Sequence, residues 1–269
     1  VNKRISLAEI KKIELDLLKN VVKVCKENNL RYFLAGGTLL GAIRHQGFIP
    51  WDDDIDVLMP RKDYMQLINI FKRENKKNMK MFSANTNNDY YYTFLKVVDT
   101  RTKMFINERL PLKDFGVCID IFPMDGLPEN QLETILLLKI IRHYNKIRAT
   151  ASMLRFPNYG WYKIVPKRFY YLFSKHVGYK KPIQKIEELA TKYDFETCDY
   201  IGCLVWGYGI KEKISKKSFE STVEVQFEDG YYDAPIGYDE YLTNLYGDYL
   251  QLPSEEKRVS HHNYEAYWK

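Results

Sequence analysis

The residues most able to do chemistry lie in one stretch, Leu34 to Val57, and fall into two groups. The first is Gly36-Gly37-Thr38, a glycine turn at the end of an apolar run. The second is Asp52-Asp53-Asp54-Ile55-Asp56, four carboxylates that lead into another apolar run. Glycines let a backbone come close to a phosphate, and the N–H groups at a following helix start can hold it. Carboxylates packed this closely repel one another unless a hard cation sits between them. Mg²⁺ is such a cation, and it commonly binds one or two carboxylates together with substrate phosphates. The stretch therefore reads as a site for metal-dependent phosphate chemistry.

The elements around it must aim these groups. Ser6-Leu7-Ala8-Glu9 is a capping-box pattern, and Ile10, Ile13, Leu17, Val21 and Val24 follow at helical spacing. Asn28-Asn29 ends that helix. Leu30–Ala35 reads as a strand, and Thr38–His45 as a short helix. Asp54–Met59 reads as the next strand. Side chains alternate along a strand, so Asp54 and Asp56 share one face while Ile55 and Val57 take the other. On that reading Asp52 joins the acidic face if the strand starts early, and Asp53 points away. Pro60 closes the strand, and Arg61–Arg73 forms an amphipathic helix. Strands are expected at Met79–Phe82, Tyr91–Val98, Lys103–Asn107 and Gly116–Phe122. Two of them carry charge on an apolar run: Lys96, and Asp120 in Gly116–Phe122. An isolated carboxylate there is costly unless paired or bound to metal. Asp125 follows in what reads as a loop.

Composition narrows the function classes. With 45% hydrophobic and 28% charged residues, the 269-residue chain is a folded protein rather than a disordered one. Its four cysteines make no metal-binding pair and read as reduced thiols of a cytoplasmic protein. No apolar run reaches the roughly 18 residues needed to span a bilayer. Charge is uneven: from Gln131 to Lys185 there are twelve Lys/Arg against one acid, Glu133. That basic, helical and aromatic stretch suits an anionic surface, or else is a solvated face of ordinary helices. Twenty-two tyrosines suggest aromatic-lined surfaces as well as core, with aromatics to spare at Tyr90-Tyr91-Tyr92, Tyr231-Tyr232 and Trp206.

A Gly-Gly turn, a D-x-D strand and a later strand carboxylate are the parts that two-metal phosphoryl transfer needs. The full string is more specific. Gly37-Thr38-Leu39-Leu40-Gly41-Ala42-Ile43-Arg44, followed by Gly47-Phe48-Ile49-Pro50-Trp51-Asp52-Asp53-Asp54-Ile55-Asp56, resembles the signature of the LicD family. That family groups bacterial phosphocholine transferases with fukutin-type sugar-phosphate transferases. Asp120-Ile121-Phe122-Pro123-Met124-Asp125-Gly126 and Tyr246-Gly247-Asp248-Tyr249 match further along.

The resemblance implies a nucleotidyltransferase-like core that moves phosphocholine from CDP-choline to a sugar hydroxyl of a teichoic-acid or related surface glycan. It implies Asp54 and Asp56 as the metal pair, with Asp120 completing the site and serving as general base. One or two Mg²⁺ are expected, with Mn²⁺ as the substitute. Gly36, Gly37 and Thr38 would bind diphosphate and Arg44 the phosphates, unless Arg44 pairs with the acidic cluster instead. Trp51 would stack on cytosine or simply fill the loop core. Lys96 would face phosphate or pair with Asp99 or Asp120. His261 and His262 complete the candidate set.

The expected fold is α/β (α+β): a mixed-sheet catalytic core over residues 1–130, a helical basic subdomain over 131–198, and a segment over 199–269 that completes the core. The expected partners are CDP-choline and a lipid-linked glycan acceptor, with peripheral association at the inner face of an anionic membrane and no nucleic acid. The rival readings are transfer of ribitol phosphate, glycerol phosphate or a nucleotidyl group by the same site, and a non-catalytic nucleic-acid or glycan binder using the basic stretch.

Overall fold

The structure is a computed structural model that describes residues 3–74, 76–157, 161–206, 208–259 and 264–269, with backbone alone for 161–164. The N-terminal part contains α1 (Leu7–Glu27), β1 (Phe33–Leu34), α2 (Gly36–His45), β2 (Asp56–Pro60), α3 (Arg61–Arg73) and β3 (Met79–Phe82). The middle adds β4 (Leu95–Asp99), β5 (Thr102–Ile106), β6 (Cys118–Leu127), α4 (Gln131–Ala151), α5 (Trp161–Val177) and α6 (Lys180–Ala190). Then come β7 (Tyr200–Gly202), β8 (Ile214–Ser215), β9 (Thr222–Phe227), β10 (Gly230–Pro235), α7 (Tyr238–Tyr246) and β11 (Tyr264–Trp268). The mixed α and β content agrees with the expected class. Among the described residues, no helix is long and apolar enough to cross a membrane. The four cysteines are free thiols.

The main sheet runs β1-β2-β6-β4-β3, and β7 and β8 extend it from the far half of β6. Only β2 and β6 are parallel; the other pairs are antiparallel. One face of its centre is dry: Ile55, Val57, Leu95, Val97, Ile119 and Ile121 are all fully buried. Burying each such side chain stabilises the fold by about 1.5–3 kcal/mol. Helix α1 begins with the anticipated box, in which the Ser6 hydroxyl accepts from the Glu9 N–H and the Glu9 carboxylate accepts from the Ser6 N–H. It packs on β4 and β6. Helix α3 and strand β3 keep the bounds read from the sequence. The basic stretch folds as α4, with α5 and α6 packed on it. Two ribbons lie outside the main sheet, β9–β10 and β5–β11.

Four local readings need correction. The strand expected over Tyr91–Val98 runs Leu95–Asp99. Strand β2 begins at Asp56, not Asp54, so Asp52–Asp54 form the bend that enters it. The glycines belong to the first turn of α2, with Gly36 at φ +49°. Asp125 lies inside β6, opposite Gly202 of β7, and is not in a loop.

Candidate active site

Sheet register builds the centre. Asp56 of β2 is the direct partner of Asp120 of β6, and Asp120 is the direct partner of Lys96 of β4. Paired residues on neighbouring strands face the same way about 4.8 Å apart. An acid, an acid and an ammonium therefore stand in one row across three strands. The Lys96 ammonium donates to Asp120, which realises one of the pairings open at the sequence level. Burial works against the Lys96 charge, but Asp120 outweighs it and holds the ammonium above its ordinary range. Among the described residues, no cation pairs with Asp56 in this way. Burial, and then the charges of Asp54, Asp120 and Asp52, push its carboxyl well above the usual range.

Helix α2 locks this row from the side. The Asp56 N–H donates to the Thr38 hydroxyl at 2.8 Å, and the Ala35 N–H donates to the Asp56 carbonyl at 3.0 Å. Thr38 is buried and thus acts through the backbone of the acidic strand. A Cβ on Gly36 would lie 3.2 Å from an Asp56 carboxylate oxygen, and one on Gly37 would lie 2.5 Å from Asp52 Oδ2. Both glycines therefore let α2 open directly onto the carboxylates. A helix start at that distance presents its free N–H groups to whatever the acids and a cation hold.

Asp54, Asp56, Asp120 and Lys96 line a cavity of about 1260 Å³. Asp53, expected to point away, lines it too; it is buried and accepts from the Tyr264 hydroxyl at 2.9 Å. The far walls are aromatic and basic: Tyr92, Phe94, Trp206 and Tyr208, then Arg109 and the α4 residues Arg142, Lys146 and Arg148. Tyr208 is held by Glu212, whose carboxylate accepts from the Tyr208 N–H at 3.1 Å. Of the spare aromatics noted from sequence, Tyr91, Tyr92 and Trp206 reach the cavity. Tyr90, Tyr231 and Tyr232 are not among its lining residues.

Arg44 and Trp51 stand together beyond the cavity lining. Arg44 donates to the Tyr249 carbonyl and to the His45 ring, both at 3.0 Å, rather than to the acidic cluster. Trp51 is half-buried against the core with the Arg258 guanidinium over its ring at 5.7 Å. His261 and His262 lie outside the described residues. Asp125 is structural: Arg61 grips both its oxygens, at 2.7 and 2.6 Å.

One acid escaped the sequence reading. Glu14 of α1 is buried and lines the same cavity, and its Oε2 has no hydrogen-bond partner among the described residues. Burial, and then Asp54, Asp53 and Asp120, push its carboxyl well above the usual range. The signal was present in the helical spacing, since Glu14 is four residues from Ile10 and three from Leu17 and so falls on the apolar face.

The donor chemistry suits a hard divalent cation. Asp53, Asp54, Asp56, Asp120 and Glu14 face one cavity, two of them adjacent across parallel strands, and burial together with the neighbouring acids raises the Asp56 carboxyl well above the usual range. The fit is one of donor type and neighbourhood: among the described residues, no three acidic, histidine or cysteine side chains already enclose a single point.

Comparison with known proteins places this site in a lineage. Residues 29–134 match the family model described as LicD/FKTN/FKRP, nucleotidyltransferase domain. The chain is 34% identical over 273 residues to the lipopolysaccharide cholinephosphotransferase LicD of Haemophilus influenzae, covering 98% of this chain and 99% of that protein. It is 29% identical over 187 residues to an uncharacterized protein of Rickettsia typhi, covering 66% of this chain and 57% of that protein. A segment of 37 residues is 54% identical to the human ribitol 5-phosphate transferase FKRP, covering 14% of this chain and 8% of that protein. With its acidic motif, its strand register and its end-to-end similarity to a named transferase in agreement, the chain belongs to the LicD family.

Proposed function

We propose that this enzyme transfers phosphocholine from CDP-choline to a sugar hydroxyl of a teichoic-acid or related surface-glycan precursor, releasing CMP. The observation that carries this reading is the in-register row of Asp56, Asp120 and Lys96 at the floor of an aromatic-walled cavity. In the reaction, the acceptor oxygen forms a bond to the choline-bearing phosphorus. The bond from that phosphorus to the bridging oxygen breaks, and CMP leaves with the electron pair. Asp120 takes the hydroxyl proton, and its ion pair with Lys96 fixes where that base stands. Asp54, Asp56 and Asp120 would hold Mg²⁺, which supplies charge neutralisation for the diphosphate. The start of α2 offers backbone N–H groups to the same phosphates, and Thr38 keeps Asp56 in place. Tyr92, Phe94, Trp206 and Tyr208 offer faces for the trimethylammonium group.

The basic helical layer supports an acceptor carried on an anionic membrane. On α5, Val165 and Phe169 are 77% and 75% exposed, with Leu172 and Phe173 on the following turn. Lys167, Arg168 and Lys175 are interspersed with them. Apolar side chains flanked by cations suit a peripheral membrane contact.

The similarity to a ribitol 5-phosphate transferase favours one second reading, ribitol phosphate as the transferred group. Calorimetric titration with CDP-choline, CDP-ribitol, CDP-glycerol and CMP, with and without Mg²⁺, separates the two. Mg²⁺-dependent binding that prefers CDP-choline over CDP-ribitol and CMP is expected. Preference for CDP-ribitol would replace phosphocholine as the cargo, and no nucleotide binding at all would overturn the transferase mechanism. Asp54→Asn and Asp56→Asn should each lower turnover by more than about a hundredfold while leaving the melting temperature near that of the wild type.

A further inference from the structure

The cavity holds a second charged centre on its α4 wall. Arg148 is 3% exposed. Its Nη1 donates to the Tyr91 carbonyl at 2.7 Å and its Nε to Asn145 Oδ1 at 3.1 Å. The guanidinium lies over the rings of Trp206 at 5.7 Å and Tyr92 at 5.9 Å. No carboxylate reaches it among the described residues. Its charged neighbour is another cation: Arg109, whose Nη1 donates to the Ala149 carbonyl and, at 3.0 Å, to the Ser152 hydroxyl. Lys96, the other buried basic residue among those described, is neutralised by Asp120.

A buried charge without a counter-ion is costly, and ring contacts offset only part of that cost. Burial pulls the Arg148 guanidinium down to about 10, with Arg109 adding to the pull, so it remains a cation at neutral pH. Arg148 lines the cavity, and a guanidinium, with five N–H donors, has more of them than the two bonds named use, which suits an oxyanion such as phosphate.

We infer that Arg148, with Arg109 beside it, forms an anion subsite that takes a phosphate group of the acceptor, separate from the reacting phosphates at the carboxylate row. This rests on the phosphotransfer reading above and assigns residues of this chain to a phosphate that the acceptor itself carries. Two observations favour acceptor over donor. Lys139, Arg142 and Lys146 line the same cavity and are exposed, so positive lining continues from Arg148 to the surface, as a longer polyanion requires. Lys96 and Arg148 both approach the Tyr92 ring and are therefore at most about 11 Å apart, within reach of one acceptor molecule.

The test is calorimetry on the full chain at low salt, with glucose 1-phosphate as the probe. It is run alone and again with saturating CMP and Mg²⁺. Glucose 1-phosphate should bind in both conditions and raise the melting temperature. Arg148→Lys, which keeps the charge but loses the fork, should weaken binding at least tenfold, and Arg109→Gln should weaken it as well. No binding, or binding unchanged in both variants, would overturn the subsite. Complete displacement of the probe by CMP would give the site to the donor and overturn the acceptor assignment. Nucleotide binding is read in the same titrations, so loss of the subsite with CMP binding intact refutes this inference alone. Should Arg148→Lys fail to fold, Arg109→Gln decides.

Discussion

Replacing Arg61 by methionine should cost the fold about 3–5 kcal/mol, because it strands a buried carboxylate. Asp125 is 1% exposed, and Arg61 donates to both its oxygens while also reaching Glu187 at 2.7 Å. Methionine keeps most of the volume and none of the donors. For a chain of this size, the melting temperature should fall by roughly 6–20 °C. The sign of the pH effect follows from the folded state. Burial already holds the Asp125 carboxyl above its ordinary range despite Arg61. Without the arginine it rises further, so the folded variant keeps a proton that the unfolded chain releases. Lowering the pH then favours the fold, and the deficit should shrink between pH 7 and pH 5. Urea denaturation of wild type, Arg61→Met, Asp125→Asn and the double variant at both pH values measures this as a cycle. A deficit below about 1 kcal/mol, a deficit independent of pH, or a double variant no more stable than Arg61→Met would refute the reasoning.

Gly36→Ala places a side chain at φ +49° and 3.2 Å from an Asp56 oxygen. It should cost about 1–2 kcal/mol in a thermal melt and lower turnover, and wild-type rates would show that the carboxylate has room to move. Glu212 is held at about 7, above its ordinary 4.5, by burial. The stability tied to it is full below pH 4.5 and is lost as pH rises through 7, up to about 3 kcal/mol. Glu212→Gln should flatten that part of the pH–stability curve, and an unchanged curve would exclude Glu212 as its source. Val165→Asp/Phe169→Asp should abolish sedimentation with phosphatidylglycerol vesicles at low salt. Retained binding would move the membrane contact off α5.

Local chemistry was legible where the cause is local. The capping box, the apolar stripe of α1 and Pro60 before α3 are readable because each depends on neighbours a turn away. So are Asp56 and Asp120, because an acid in an apolar strand demands a reason. What eluded the sequence depends on pairing at long range. The register that sets Asp120 between Asp56 on one side and Lys96 on the other is fixed by the sheet, and nothing in the three segments states it. Asp125 reads as a loop residue because Pro123 looks like a breaker. In the fold, Pro123 occupies a rung beside Met59, and β6 continues past it to meet β7. Glu14 was hidden by the apolar pattern that surrounds it, and Arg148 by a basic run in which one buried guanidinium looks like its solvated neighbours.

The β5–β11 ribbon has a consequence in time. Its two strands pair residue for residue, from Thr102 with Trp268 to Ile106 with Tyr264, across most of the chain's length. A ribosome releases β5 long before β11 exists. Closing so long a loop is a modest entropic demand, since each doubling of length adds only about 0.6 kcal/mol. The order of events is the stricter constraint. Tyr264, which bonds Asp53 and completes the cavity wall, emerges after every other described lining residue. A nascent chain can therefore pair β2 with β6 and align Asp56 with Asp120 while the cavity still lacks the part of its wall that Tyr264 supplies.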